Sequence, residues 1–186
     1  VENVKDVGNS GNVPIIASLS KLEETVIQWF QSHPSPPVAV LSDFFIGWTQ
    51  RWAEKLDIPR IGFFSTRALL ASVLTHLWRN VDALIDSSSQ STVEFPNLPG
   101  SPSFVKEHLP SIVRRYKKGH SDSEIIRKGM LANSKSWGCV FDSFHALEEA
   151  YLDHVKKELG HGRVFCVGPL SFMKGSESLR GVNSDC

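Results

Sequence analysis

An α/β domain built on a parallel sheet is the reading imposed by the order of the apolar runs. Two runs carry it. Pro37-Val38-Ala39-Val40-Leu41-Ser42-Asp43 and Ile58-Pro59-Arg60-Ile61-Gly62-Phe63-Phe64 stand one helix length apart. Continuous apolar strands joined by an amphipathic stretch form βαβ units, buried on both faces of the sheet. Ligands in such sheets bind beyond the carboxyl ends of the strands. Asp43, with Phe44 and Phe45 behind it, and Ser65-Thr66 occupy those ends, so they are expected to face one crevice.

The elements follow in order. Ile16, Leu19, Leu22, Val26 and Phe30 recur at helical spacing, predicting a helix over 13–32, before Pro34. A strand over 38–42, a helix over 47–56, a strand over 60–64 and a helix over 67–84 come next. Residues 87–102 are rich in Ser, Pro and Asn, with Phe95-Pro96-Asn97-Leu98-Pro99-Gly100 at the centre, and read as a long rigid loop. A short helix over 103–117 closes it. Ser121-Asp122-Ser123-Glu124 has the form of a capping box for a helix reaching 136. A strand over 138–141, a helix over 145–159 and a strand over 163–167 complete the chain. Strand and helix alternate throughout, so the sheet is Rossmann-like, parallel and flanked by helices.

Composition bounds the partners. The 186 residues hold 20 acidic and 20 basic side chains, with a pI near 7.2. Nucleic-acid binders carry a basic excess or stripe, and Arg114-Arg115-Tyr116-Lys117-Lys118 is too short for one, so nucleic acid is not an expected partner. Cys139, Cys166 and Cys186 show neither CxxC nor zinc spacing; the first two sit in apolar runs, which favours a reducing, cytoplasmic location. No run approaches a membrane span, and no metal site is expected from the scattered histidines. The polar segments at the two ends, 1–12 and 174–186, read as cuts through a longer protein.

Every candidate residue also has a plain structural reading. An acid after a strand commonly caps the next helix, and position alone favours that role for Asp43; Ser65 and Thr66 are equally good caps. Trp48, Trp52 and Trp78 at helical spacing read as core. Cap and function coexist readily, because a helix N-terminus also favours anions.

At these same residues the chain resembles the plant UDP-dependent glycosyltransferases of family 1. The matches run in order: Ser42-Asp43-Phe44-Phe45-Ile46-Gly47-Trp48, Ile58-Pro59-Arg60, Phe63-Phe64-Ser65-Thr66, Pro96-Asn97-Leu98-Pro99-Gly100, Asp142-Ser143-Phe144 with Leu147-Glu148, and Val167-Gly168-Pro169-Leu170. Gly47-Trp48 and Leu77-Trp78 are similar to the flavonol and phenolic glucosyl- or rhamnosyltransferase branch. The resemblance implies a GT-B fold, with residues 1–167 as part of the N-terminal, acceptor-binding domain and 168–186 as the start of an interdomain linker. It implies transfer of a sugar from a UDP-sugar, UDP-glucose or UDP-rhamnose, to a hydroxyl of a small phenolic acceptor, with no other cofactor. Asp43 matches the family aspartate that orients a catalytic histidine. Ser65, with Thr66 beside it, matches the position that touches the donor sugar. Phe44, Phe45 and Phe104 are expected to line the acceptor pocket.

Three departures bear on that reading. The family's histidine and its donor box have no counterpart in these 186 residues, and Arg67 stands where a small residue is usual. The chain alone is therefore expected not to turn over. The alternative class is a non-catalytic Rossmann-like unit that binds a small aromatic or a partner protein.

Overall fold

The computed structural model describes residues 12–86, 91–168 and 170. The segment 1–11, most of the expected linker, Pro169 and Cys186 lie outside them. Helices α1 (Asn12–Leu19) and α2 (Glu23–Ser32) precede strand β1 (Val40–Asp43), helix α3 (Thr49–Leu56) and strand β2 (Arg60–Phe64). Helices α4 (Ala68–Arg79) and α5 (Val81–Asp86) lead to a hairpin of β3 (Thr92–Glu94) and β4 (Ser103–Val105). Helices α6 (Ser111–Arg114) and α7 (Ser121–Ala132), strand β5 (Gly138–Phe141), helix α8 (His145–Leu159) and strand β6 (Val164–Cys166) follow. The main sheet is parallel, in the order β1-β2-β5-β6.

That order decides how the sheet is covered. All three crossovers step in the same direction, and parallel crossovers are right-handed, so their helices share one face. Accordingly α4 packs on both α7 and α8, and α3 on α7. The register separates the two faces. Ser42, Gly62 and Cys139 form a buried row under the helices, as do Phe64 and Phe141. Asp43, Phe63, Val140 and Phe165 form a row on the other face, beside Leu41 and Ile61.

Among the described residues the second face is partly uncovered: Leu41 is 66% exposed and Phe165 52%. Leu41 thus departs from the expectation that both runs are buried on two sides, while Ile61 and Phe63 in the second run are half-buried. An apolar run states that its residues avoid water, but crossover direction determines which face the chain itself covers. An uncovered apolar face of this kind invites association. Replacing Leu41 and Phe165 together with lysine is expected to raise soluble yield and lower binding of an apolar dye, with far-UV circular dichroism unchanged. Equal dye binding in the variant would contradict the assignment of these residues to an open face.

Four local expectations are corrected. The helix expected over 13–32 is broken by a 3-10 turn, Ser20–Leu22, where the Ser18 and Ser20 hydroxyls donate to the Ile15 and Ala17 carbonyls and compete with the helical ladder. The helix over 67–84 divides at Asn80, whose side chain donates to the His76 carbonyl at 2.8 Å. The helix over 103–117 is instead strand β4, a 3-10 turn (Lys106–His108) and the single turn α6. Val93 pairs with Phe104 across the hairpin, and tertiary pairing of aromatic and β-branched residues overrides the local pattern. The capping box does not form either: the cap of α7 is His120, without a side-chain bond. Glu124 instead accepts from the Tyr116 hydroxyl at 2.5 Å and the Gly119 amide at 3.2 Å, closing the preceding turn.

The core lies between sheet and helices. Trp78 is 1% exposed and Phe95 and Phe141 are fully buried in this core, while Trp48 and Trp52 are buried against each other outside it. Phe44, Phe64 and Phe141 stack in sequence at 5.3 and 4.6 Å. Gly47 permits the closest approach: an added Cβ would sit 2.0 Å from the Gly129 carbonyl oxygen on α7. No described helix is long and apolar enough to cross a membrane.

Candidate active site

Strand β1 ends at Asp43, and its carboxylate divides between two tasks. Oδ1 accepts the Phe45 amide at 2.8 Å and caps the 3-10 turn Phe44–Ile46. Oδ2 accepts from the Ser65 hydroxyl at 3.3 Å. The capping role that position favoured is therefore present, and it occupies one oxygen only. Ser65 is exposed and Thr66 half-buried, both just beyond β2, so the carboxyl ends of the two strands meet at this pair.

The aromatic candidates separate. Phe45 is half-buried and lies against Phe44 at 4.2 Å between ring centres. Phe44 itself is 3% exposed and its ring is committed to Phe64, so it is a wall of the core. Phe104 belongs to the hairpin, where it packs edge-on against Phe95 at 5.6 Å. The structure thus brings Asp43, Phe45 and Ser65 together, with Thr66 adjacent, while Phe44 packs on Phe64 and Phe104 on Phe95.

Two buried charges behind this crest escaped the sequence reading. Glu148, 5% exposed, accepts the Ala68 and Leu69 amides, each at 3.0 Å. It caps α4 from another helix, in place of Arg67, whose side chain makes no capping bond. To do so it leaves helical geometry within α8, with φ −134° and ψ 24°. The Ser65-Thr66 turn is thereby anchored at its far end. Arg60, 1% exposed, lies beneath Asp43 and bonds to its carbonyl oxygen at 3.4 Å. Burial lowers the Arg60 pKa to about 10 and raises that of the neighbouring Cys139 thiol to about 11. At neutral pH the guanidinium is charged and the thiol protonated. The available signals were an arginine inside an apolar strand and the places of the two residues in the Ile58-Pro59-Arg60 and Leu147-Glu148 motifs.

Two other motifs meet at the same edge of the sheet. The Leu170 amide donates to Asp142 Oδ1 at 2.7 Å, and the Gly168 amide donates to the Ser143 carbonyl at 2.8 Å. A cavity of about 340 Å³ lies elsewhere, between α4 and α8. Phe64, Cys139 and Phe141 contribute its apolar wall, and His76, Arg79, Asn97, His154 and Glu158 its polar one. Arg79 and Glu158 form an ion pair. Burial, then the Arg79 charge, holds the His76 imidazole below its usual range. None of the six expected site residues lines this cavity.

Comparison with known proteins is consistent across sequence and fold. No family model matches the chain. UDP-glycosyltransferase 89A2 of Arabidopsis thaliana is 49% identical over 170 residues, 91% of this chain and 36% of that protein. UDP-glycosyltransferase 89B2 of Stevia rebaudiana is 43% identical over 185 residues, covering 99% and 40%. Flavonol 3-O-glucosyltransferase UGT89B1 of Arabidopsis thaliana is 40% identical over 176 residues, covering 94% and 36%. The chain thus spans 36–40% of the length of these relatives. Among solved structures, a transferase from Siraitia grosvenorii in complex with UDP superimposes with a TM-score of 0.67 at 20% identity, covering 83% of this chain and 36% of that one. Arabidopsis UGT89C1 complexed with UDP-L-rhamnose does so with a TM-score of 0.57 at 21% identity, covering 94% and 33%. At these identities the structures show a shared fold, that of the GT-B plant glycosyltransferases. Over the residues aligned, this chain belongs to the plant UDP-glycosyltransferase family.

Proposed function

We propose that this chain forms part of the acceptor-binding domain of an enzyme that transfers a sugar from a UDP-sugar to a hydroxyl of a small phenolic acceptor. The observation that supports it most is the divided carboxylate of Asp43. One oxygen is used by the cap, and the other is directed to the crest where the β1 and β2 ends meet. A carboxylate fixed in this way steadies a general-base histidine, selecting its tautomer and offsetting the imidazolium charge as it takes the acceptor proton. The histidine is supplied from outside these residues. Ser65 and Thr66 offer hydroxyls to the sugar, and Phe45 offers an aromatic edge to the acceptor.

The relatives point to the substrate class. One is named for flavonol 3-O-glucosylation, and a solved neighbour, UGT2 of Phytolacca americana, is complexed with UDP-2fluoro-glucose and pterostilbene. UDP-glucose and UDP-rhamnose are the donors proposed here.

The test is a chimera in which this chain replaces the aligned 170 residues of Arabidopsis UDP-glycosyltransferase 89A2. Glycoside formation from UDP-glucose or UDP-rhamnose and a flavonol, read by mass spectrometry, is the expected result. A chimera that melts cooperatively yet yields no glycoside, beside an active parent, would overturn the reading in favour of a non-catalytic binding unit.

A further inference from the structure

Arg60 is a buried cation with no ion-pair contact among the described residues. Its guanidinium is solvated by hydroxyls instead. Nε donates to Ser42 Oγ at 2.8 Å and to Thr49 Oγ1 at 2.9 Å. Nη1 donates to Ser136 Oγ at 2.6 Å, and Nη2 to the Asp43 carbonyl. Thr49 passes the connection on by donating to the Ile46 carbonyl at 2.9 Å, at the end of the Phe44–Ile46 turn.

Gly62 lies beside Ser42 in the sheet, and an added Cβ there would stand in ordinary contact, 3.5 Å from Arg60 Nη1 and 3.4 Å from Ser136 Oγ. A buried charge without an ion-pair contact is a poor source of stability, since its desolvation is offset by hydroxyl and carbonyl dipoles and only partly by the nearby Asp43 charge. What the planar fork supplies is geometry, because its donors are fixed relative to one another. Those donors reach the last two residues of β1 and the first residue of α3, the two ends of the segment that carries Asp43.

We propose that Arg60 is a positioning residue for Asp43, clamping the end of β1 and the turn after it so that the carboxylate meets Phe45 and Ser65. Its kinetic consequence rests on the role of Asp43 proposed above; its structural consequence does not.

Arg60→Lys keeps the charge and loses the fork, and Arg60→Met removes the charge. Hydrogen exchange of the Phe45 amide, measured by NMR on this chain, reads the Asp43 cap directly. Both variants are expected to lower Phe45 protection by about tenfold or more, while amides of α8 keep theirs. In the chimera, kcat is expected to fall about tenfold with KM for UDP-glucose within about twofold, the signature of a misplaced catalytic group. Wild-type Phe45 exchange in a cooperatively folded Arg60→Lys or Arg60→Met variant would overturn the proposal. Should Arg60 variants fail to fold, Ser42→Ala decides it by removing the hydroxyl that accepts from Arg60 on the residue before Asp43: loss of Phe45 protection supports the clamp, and unchanged protection overturns it. An inactive chimera sinks the functional reading alone, because the exchange measurement needs no turnover.

Discussion

Asp43→Asn, placed in the chimera with Arabidopsis UDP-glycosyltransferase 89A2, is expected to lower kcat by about 10²-fold or more, within the range of acid–base catalysis. The midpoint of thermal unfolding should move by no more than about 2 °C, since asparagine caps about as well as aspartate. The structure explains why the two effects separate. Oδ1 accepts the Phe45 amide, and an amide oxygen can take that place unchanged. The oxygen facing Ser65 becomes an NH₂ group, which donates where the carboxylate accepted. The negative charge that would favour an imidazolium is gone, and a histidine brought to this point would meet a donor. Near-wild-type turnover in a folded Asn variant would leave Asp43 as a cap and nothing more.

Glu148→Ala is expected to destabilise the domain by about 3 kcal/mol, the largest effect on stability among these variants. Ala68 is fully buried, so its amide would lose its partner without gaining water. Leu69 would lose its partner too, and each orphaned buried donor costs roughly 1–3 kcal/mol. The favourable placement of a carboxylate at the N-terminus of α4 is lost as well. Glu148→Gln should cost only about 1 kcal/mol, since one carbonyl oxygen remains to accept and a buried charge is removed. Denaturant unfolding of both variants tests the ordering. Equal costs for Ala and Gln would overturn that ordering and assign the stabilisation to the carboxylate charge, since Gln keeps the side chain's volume and one accepting oxygen.

Glu148 also links stability to the site. It holds the first turn of α4, which begins three residues after Ser65, and Ser65 in turn meets Asp43. Arg60 holds the β1 side of the same pair. The crest is thus supported from beneath by a buried cation and from the side by a buried anion. Neither touches the other in the described hydrogen bonds or ion pairs. Placing functional groups on rigid supports of this kind limits the drift that lowers rates.

Much of this architecture was legible in the residues themselves. Short apolar runs of strand length mark β1, β2, β5 and β6, because the strands of a parallel sheet are typically rich in apolar residues along their length. The pairing of an acid with Ser-Thr at two strand ends followed from the same pattern, since parallel neighbours end at the same edge. The family was legible for another reason: its motifs lie at turns and strand exits, where backbone geometry restricts the residues allowed.

What sequence could not decide are the matters of direction and of partners distant along the chain. Among the described residues, Leu41 and Phe165 lie on the face away from the helices because three right-handed crossovers step the same way, and handedness in space has no local signature. Phe104 became a strand residue because Val93 stands opposite it, eleven positions away in the chain. Arg60 and Glu148 looked like ordinary polar residues because their partners lie as far as 76 and 80 positions away. A local pattern reports whether a side chain avoids water. Which distant hydroxyl or amide satisfies a buried charge is settled only when the elements pack.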